Sequence, residues 1–176
     1  TTATKVAYFG HELGYAPLDY TGISGHAMFA AAVLPVLAGL MAGGSTPRWR
    51  FAAVGMGYVI AALIAYSRLR VGAHSPSEAL AGLVLGSLAS ALALSAHRLP
   101  DMRPPLWLGA ALLLWMLSLP LGAPPSFTHD WVVRLSLAVS ARAEPYSRRA
   151  MHRDYRREQQ RRATAQASAQ APAHWH

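Results

Sequence analysis

The sequence predicts an all-α, integral-membrane helical bundle with at least four transmembrane helices. Apolar residues make up 53% of the 176, and charged residues only 14%, well below the quarter usual in soluble domains. Four runs, at about 27–43, 51–66, 79–96 and 106–124, hold no charged residue. Each is long enough, or nearly so, to cross a hydrocarbon core of ~30 Å as a helix. Short polar loops join them, and a spanning segment must satisfy its backbone internally, which favours helices.

The segments follow in order. Residues 1–20 are mixed in polarity and carry Lys5, His11 and Glu12. The first run opens after "TGISGH" and contains Pro35, which with Pro120 in the fourth run predicts a kink or an end. The second run ends in "YSRLRVGAHSPSE", and the third then begins. That third run contains "GLVLG", Gly82 to Gly86, a small-xxx-small pair that lets helices approach closely. Loops 43–50 and 97–105 carry Arg48, Arg50, Arg98 and Arg103. The positive-inside rule puts both on the cytoplasmic side. The segments before residue 27 and around 67–78 then share the opposite face.

Beyond the fourth run the charge changes. Of 16 Lys and Arg, eight are arginines between Arg142 and Arg162, and the net charge is +8. The division expected is a membrane domain over 1–141 and a basic, partly disordered tail over 142–176. Residues 131–141 read as an interfacial amphipathic helix, and the arginines after it as a contact for anionic headgroups. The last stretch, 163–176, reads as disordered low complexity. The tail's basic charge conflicts with an outward-going fourth helix. A further apolar segment ahead of Thr1, or the opposite orientation, would ease that conflict. There is no cysteine, hence no disulfide framework and no thiolate metal site.

Two polar clusters interrupt the apolar pattern. His74 and Glu78 are four apart and share a face of a helix that opens there. The carboxylate can take the hydrogen of one imidazole nitrogen and leave the other as nucleophile or base. Arg68 and Arg70 lie just upstream, and arginine's planar fork suits phosphate. Taken singly, these arginines read as headgroup anchors and Glu78 as a carboxylate favoured at a helix start. The second cluster is Ser24, Gly25 and His26. Ser24 reads as an N-cap, and a helix start with glycine offers free amides to an anion. Both clusters fall on one side of the membrane, and ionisable groups near the bilayer are costly enough to suggest function.

These residues resemble the type 2 phosphatidic acid phosphatase (PAP2) superfamily. Its second motif is P-S-G-H, and "SGH" stands at 24–26 after Ile23. Its third motif is S-R-x5-H-x3-D. Ser67, Arg68 and His74 fit that spacing, with Glu78 in place of the aspartate. "HSPSEALAG" also resembles the family's H-x-P-S-D-x-x-A-G. The resemblance covers roughly residues 20–96. The first motif, K-x6-R-P, is incomplete: Lys5 is a candidate for its lysine, but Glu12 stands where the arginine belongs.

The resemblance implies a PAP2-like fold and hydrolysis of a lipid phosphate monoester or diphosphate without metal or other cofactor. On it, His74 is the nucleophile, Glu78 orients it, and His26 is the acid and then the base. Arg68, Ser24, Gly25 and Lys5 bind the phosphoryl oxygens. The expected partners are the lipid phosphate and membrane lipids, not nucleic acid, since the arginine tail lacks interleaved aromatics beyond Tyr146 and Tyr155. The expected location is a bacterial inner membrane, with the site on the non-cytoplasmic face. A catalytically degenerate protein that binds lipid phosphates is the alternative, supported by the incomplete first motif. A vanadate-dependent haloperoxidase uses a similar site but is soluble and larger.

Overall fold

The computed structural model describes residues 1–95, 127–140 and 144–170, with isolated positions 105, 107, 109–111 and 114 between them. The described residues form helices α1 (Thr2–His11), α2 (Gly25–Met41), α3 (Pro47–Arg70), α4 (Pro76–Ser95), α5 (Phe127–Ser140) and α6 (Arg148–Gln170). A short 3-10 turn, Ala16–Leu18, follows α1. The fold of the described residues is all-α. An isolated bridge between Tyr15 and Tyr20 closes the turn region.

The centre is an up-down-up trio in which α2 packs against both α3 and α4, parallel to α4 and antiparallel to α3. Small side chains set the distance. A Cβ added at Gly82 would lie 2.6 Å from the Ser24 carbonyl oxygen, and one at Gly86 only 2.2 Å from that of Met28. The "GLVLG" pair is therefore the seam on which α4 lies against α2, and any side chain there would drive the backbones apart. Ala30, Ala31, Leu34, Ala61 and Ile64 form the buried cluster, with Ile60 and Leu83 packed on it. Pro35 does not end α2, which runs on to Met41.

Among the described residues two helices, α3 and α4, are long and apolar enough to cross a membrane. Only 22% and 28% of their apolar stretches is buried inside the protein, which argues against core helices of a soluble domain. Phe51, Val59, Leu63, Leu80, Leu88 and Leu92 point outward instead, as lipid-facing side chains do. The first run expected, now α2, is 17 residues long. The fourth, 106–124, lies almost wholly outside the described residues, as do Pro120, Arg98 and Arg103.

Two boundaries differ from the sequence reading. Arg48 and Arg50 belong to the first turn of α3 rather than to a loop, and Arg68 and Arg70 to its last turn. Pro47 at the first helical position starts the helix early. Its 24 residues reach about 36 Å, enough to carry both charged ends clear of the hydrocarbon. The second difference is in the tail. Residues 163–170, expected to be disordered, continue α6. Alanine alternates through "ATAQASAQ" and has the highest helix propensity.

α5 packs on α1: a Cβ at Gly10 would meet the Ser136 carbonyl and the Ser140 side chain at 3.1 Å. Ser136 is buried there, while Trp131, Leu135 and Val139 face outward together with Arg134. α6 returns to the body of the protein. Met151 is buried against Gly14, and the Tyr146 amide donates to the Phe9 carbonyl at 3.1 Å.

Candidate active site

The up-down-up trio brings the start of α2, the end of α3 and the start of α4 to one end of the bundle. Each contributes a polar group because each is a helix terminus. Ser24 caps α2, its Oγ accepting from the Ala27 amide. Ser24 also donates its own amide to the Glu78 carbonyl at 3.1 Å, which ties the two helix starts together.

The beginning of α4 is a capping box. Ser75 Oγ accepts from the Glu78 amide at 3.4 Å, and Glu78 Oε2 accepts from the Ser75 amide at 3.2 Å. The same Oε2 accepts from His74 Nδ1 at 2.8 Å. Oε1 accepts from the Thr21 amide at 2.8 Å and from the Thr21 hydroxyl. Arg148 Nη2 also reaches Oε1, at 2.8 Å. Glu78 thus takes five donors while its side chain is fully buried. That number is one more than the roughly four lone-pair sites of a carboxylate, so Oε1 shares its three donors.

A carboxylate only accepts, so Nδ1 carries the hydrogen of the neutral His74 ring and Nε2 keeps a lone pair. The His74 side chain is 12% exposed, enough for Nε2 to meet a ligand. His26, half-buried on the first turn of α2, lies within electrostatic reach of both His74 and Arg68. Arg68 is the third member. Its Nε and Nη1 are buried and have no hydrogen-bond partner among the described residues. Burying such donors is costly, and a bound anion would relieve it.

Lys5 approaches from α1, its Cδ 3.2 Å from where a Gly22 side chain would start. Burial lowers its pKa below the ordinary lysine value; the Glu78 carboxylate opposes that shift and Arg148 adds to it. His26 is thus within electrostatic reach of Arg68 and His74, Glu78 joins His74 to the Ser24 amide ahead of Gly25, and Lys5 lies against Gly22. Arg70 is exposed at the end of α3 and is not brought in. Glu12 is exposed and ends α1 in a left-handed conformation, φ 59°. Its position, where the first motif wants arginine, serves here as a helix cap. Among the described residues no group of three or more His, Asp or Glu is placed to hold a metal ion.

The sequence reading missed Thr21, Ser75, Asp19, Arg148 and His152. Ser75 had a signal, the S-x-x-E pattern of "SPSE". Thr21 and Arg148 lie 57 and 70 residues from Glu78, and no local pattern connects them to it.

The model of the PAP2 superfamily matches residues 2–121. The chain belongs to the PAP2 superfamily. An "Uncharacterized 22.5 kDa protein in cps region" of Klebsiella pneumoniae is 39% identical over 155 residues, covering 86% of this chain and 74% of that protein. An "Undecaprenyl-diphosphatase" of Sulfolobus acidocaldarius is 37% identical over 78 residues, 43% of this chain. The match spans 33% of that relative's length. No solved structure gives a significant match. As a PAP2 member, the chain has both spaced motifs on facing helix ends of one bundle. Arg148 and His152 lie beyond the residues that the PAP2 model matches.

Proposed function

We propose that the protein is a membrane phosphatase that hydrolyses a lipid phosphate monoester or diphosphate without a metal, through a phosphohistidine. The observation that carries this reading is the oriented His74–Glu78 pair, within electrostatic reach of His26, beside Arg68, whose buried Nε and Nη1 have no partner among the described residues. His74 Nε2 attacks phosphorus, and the bond from phosphorus to the leaving oxygen breaks. His26 gives that oxygen its proton. Water then attacks the phosphohistidine, His26 takes the proton back, and the N–P bond breaks to release phosphate. Glu78 stabilises the positive ring in between. Arg68, Ser24, the Gly25 amide and Lys5 hold the phosphoryl oxygens. Phosphoryl transfer depends mainly on such positioning and charge stabilisation.

The substrate is an amphiphile, because the site opens at the end of helices whose outer faces are apolar. Phosphatidic acid, phosphatidylglycerol phosphate and polyprenyl diphosphate all fit, and the relative from Sulfolobus acidocaldarius, by its name, supports the last. The membrane domain is assigned to 1–141, in a bacterial inner membrane with catalysis on the non-cytoplasmic face. The exposed arginines of α6 are assigned to anionic headgroups, each favourable by about 1 kcal/mol near such a surface. A catalytically degenerate binder is the second reading, favoured by Glu12 at the missing arginine.

Phosphate release from a panel of these lipids separates the two. Wild-type protein is expected to turn over at least one, with a phosphoenzyme trapped on rapid acid quench. His74→Ala is expected to lose turnover by more than the 10²–10³-fold typical of a single positioned donor, about three orders or more. Turnover by that variant at the wild-type rate would end the phosphohistidine proposal. Tight lipid-phosphate binding without any turnover would select the degenerate reading.

A further inference from the structure

We propose that Arg148, delivered by the basic C-terminal helix, is a positioning residue of the same site: it pins Glu78 through Oε1 so that Oε2 keeps the His74 ring aimed. The inference rests on the phosphatase reading, but the residue lies outside the part of the chain that the family model matches.

Glu78 is fully buried, and a buried carboxylate is stable only when paired and hydrogen-bonded. Four of its five donors are amides, a hydroxyl and an imidazole. The fifth, Arg148 Nη2 at 2.8 Å, is the permanent cation hydrogen-bonded to it among the described residues. With Oε1 held by a guanidinium, the carboxylate cannot turn and exchange its two oxygens.

Arg148 is itself held. Its Nη1 pairs with Asp19. His152, one turn further along α6, reaches the other Asp19 oxygen at 2.7 Å. Asp19 is set by the 3-10 turn, which it ends at φ 51° with its amide on the Ala16 carbonyl. The chain of contacts runs from α6 through Asp19 and Arg148 to Glu78 and His74. Met151, buried between Arg148 and His152, anchors the same turn. None of these contacts needs the substrate, and both terminal nitrogens of Arg148 are engaged by protein oxygens.

The test has a kinetic arm and a substrate-free arm. Arg148→Ala is expected to lower kcat by about 10- to 100-fold, the scale of a small misplacement of a reacting group, with KM within about twofold. Arg148→Lys, which keeps a cation, is expected to recover part of the loss. In a Glu78→Gln background, removing Arg148 is expected to cost less than about threefold more, because both changes break one unit. Gln159→Ala, at an exposed position of the same helix, is expected to keep wild-type turnover. Unchanged kcat in Arg148→Ala, or a rise in KM alone, overturns the positioning role; the second result would make Arg148 a phosphate ligand. Without substrate, Asp19→Asn is expected to speed hydrogen exchange over residues 144–152, and unchanged exchange overturns the docking. If wild-type protein turns over nothing, the phosphatase reading and the catalytic half of this inference both fall, and the exchange arm alone decides the docking.

Discussion

Lys5 sits where burial works against its charge, and that gives it a signature. Its ammonium can bind a phosphoryl oxygen only while protonated. Because burial lowers its pKa, the proton leaves at a lower pH than from an exposed lysine, near ~10.4. The value of kcat/KM is therefore expected to fall on its alkaline limb below the ordinary lysine range. Lys5→Arg, which stays charged, is expected to move that limb upward. A limb that stays in place in this variant would remove Lys5 from the phosphate site. Legibility at this scale was uneven. His26, Arg68, His74 and Glu78 were readable because two short motifs keep their spacing within one chain segment each. Thr21, Asp19 and Arg148 were not, because a contact made across 57 to 129 residues leaves no periodic trace.

At the level of elements, the bundle depends on the contact between α2 and α4. Gly86 has no room for even one added carbon, since its position faces the Met28 carbonyl. Gly86→Leu is expected to destabilise the protein by more than the 1–3 kcal/mol of ordinary overpacking, read as a fall in melting temperature in detergent. It is also expected to reduce activity, because the same seam aligns Ser24 with Glu78. A variant with unchanged melting would show that the seam yields. The "GLVLG" pattern announced this contact, and the uncharged runs announced three of the helices. The ends of α3 were hidden by its arginines, which look like loop residues until the helix is long enough to carry them past the lipid. The extension of α6 through 163–170 was hidden by a composition that reads as low complexity while its alanines favour a helix.

For the whole molecule, the up-down-up trio fixes which groups can meet. α2 and α4 both start at the site end and α3 finishes there, so their other ends lie away from the chemistry. Ala73, exposed between α3 and α4, reports which side of the membrane that end faces. The chain has no cysteine, so Ala73→Cys is expected to react with a membrane-impermeant thiol reagent added from the non-cytoplasmic side. Labelling from the cytoplasmic side alone would reverse the orientation. The uncharged runs and the polar junctions between them made the order of the trio readable, while the docking of α6 onto α1 and the turn after it was not, since nothing near Arg148 distinguishes it from its neighbouring arginines.

The capping box of α4 and the orientation of its imidazole are served by one carboxylate. Fraying of a single helical turn at that end would release the ring and silence the chemistry, while the rest of the bundle stayed folded. A rate measured on any Glu78 variant therefore mixes two losses, and only a probe of that turn's own order can tell a disarmed nucleophile from an unravelled one.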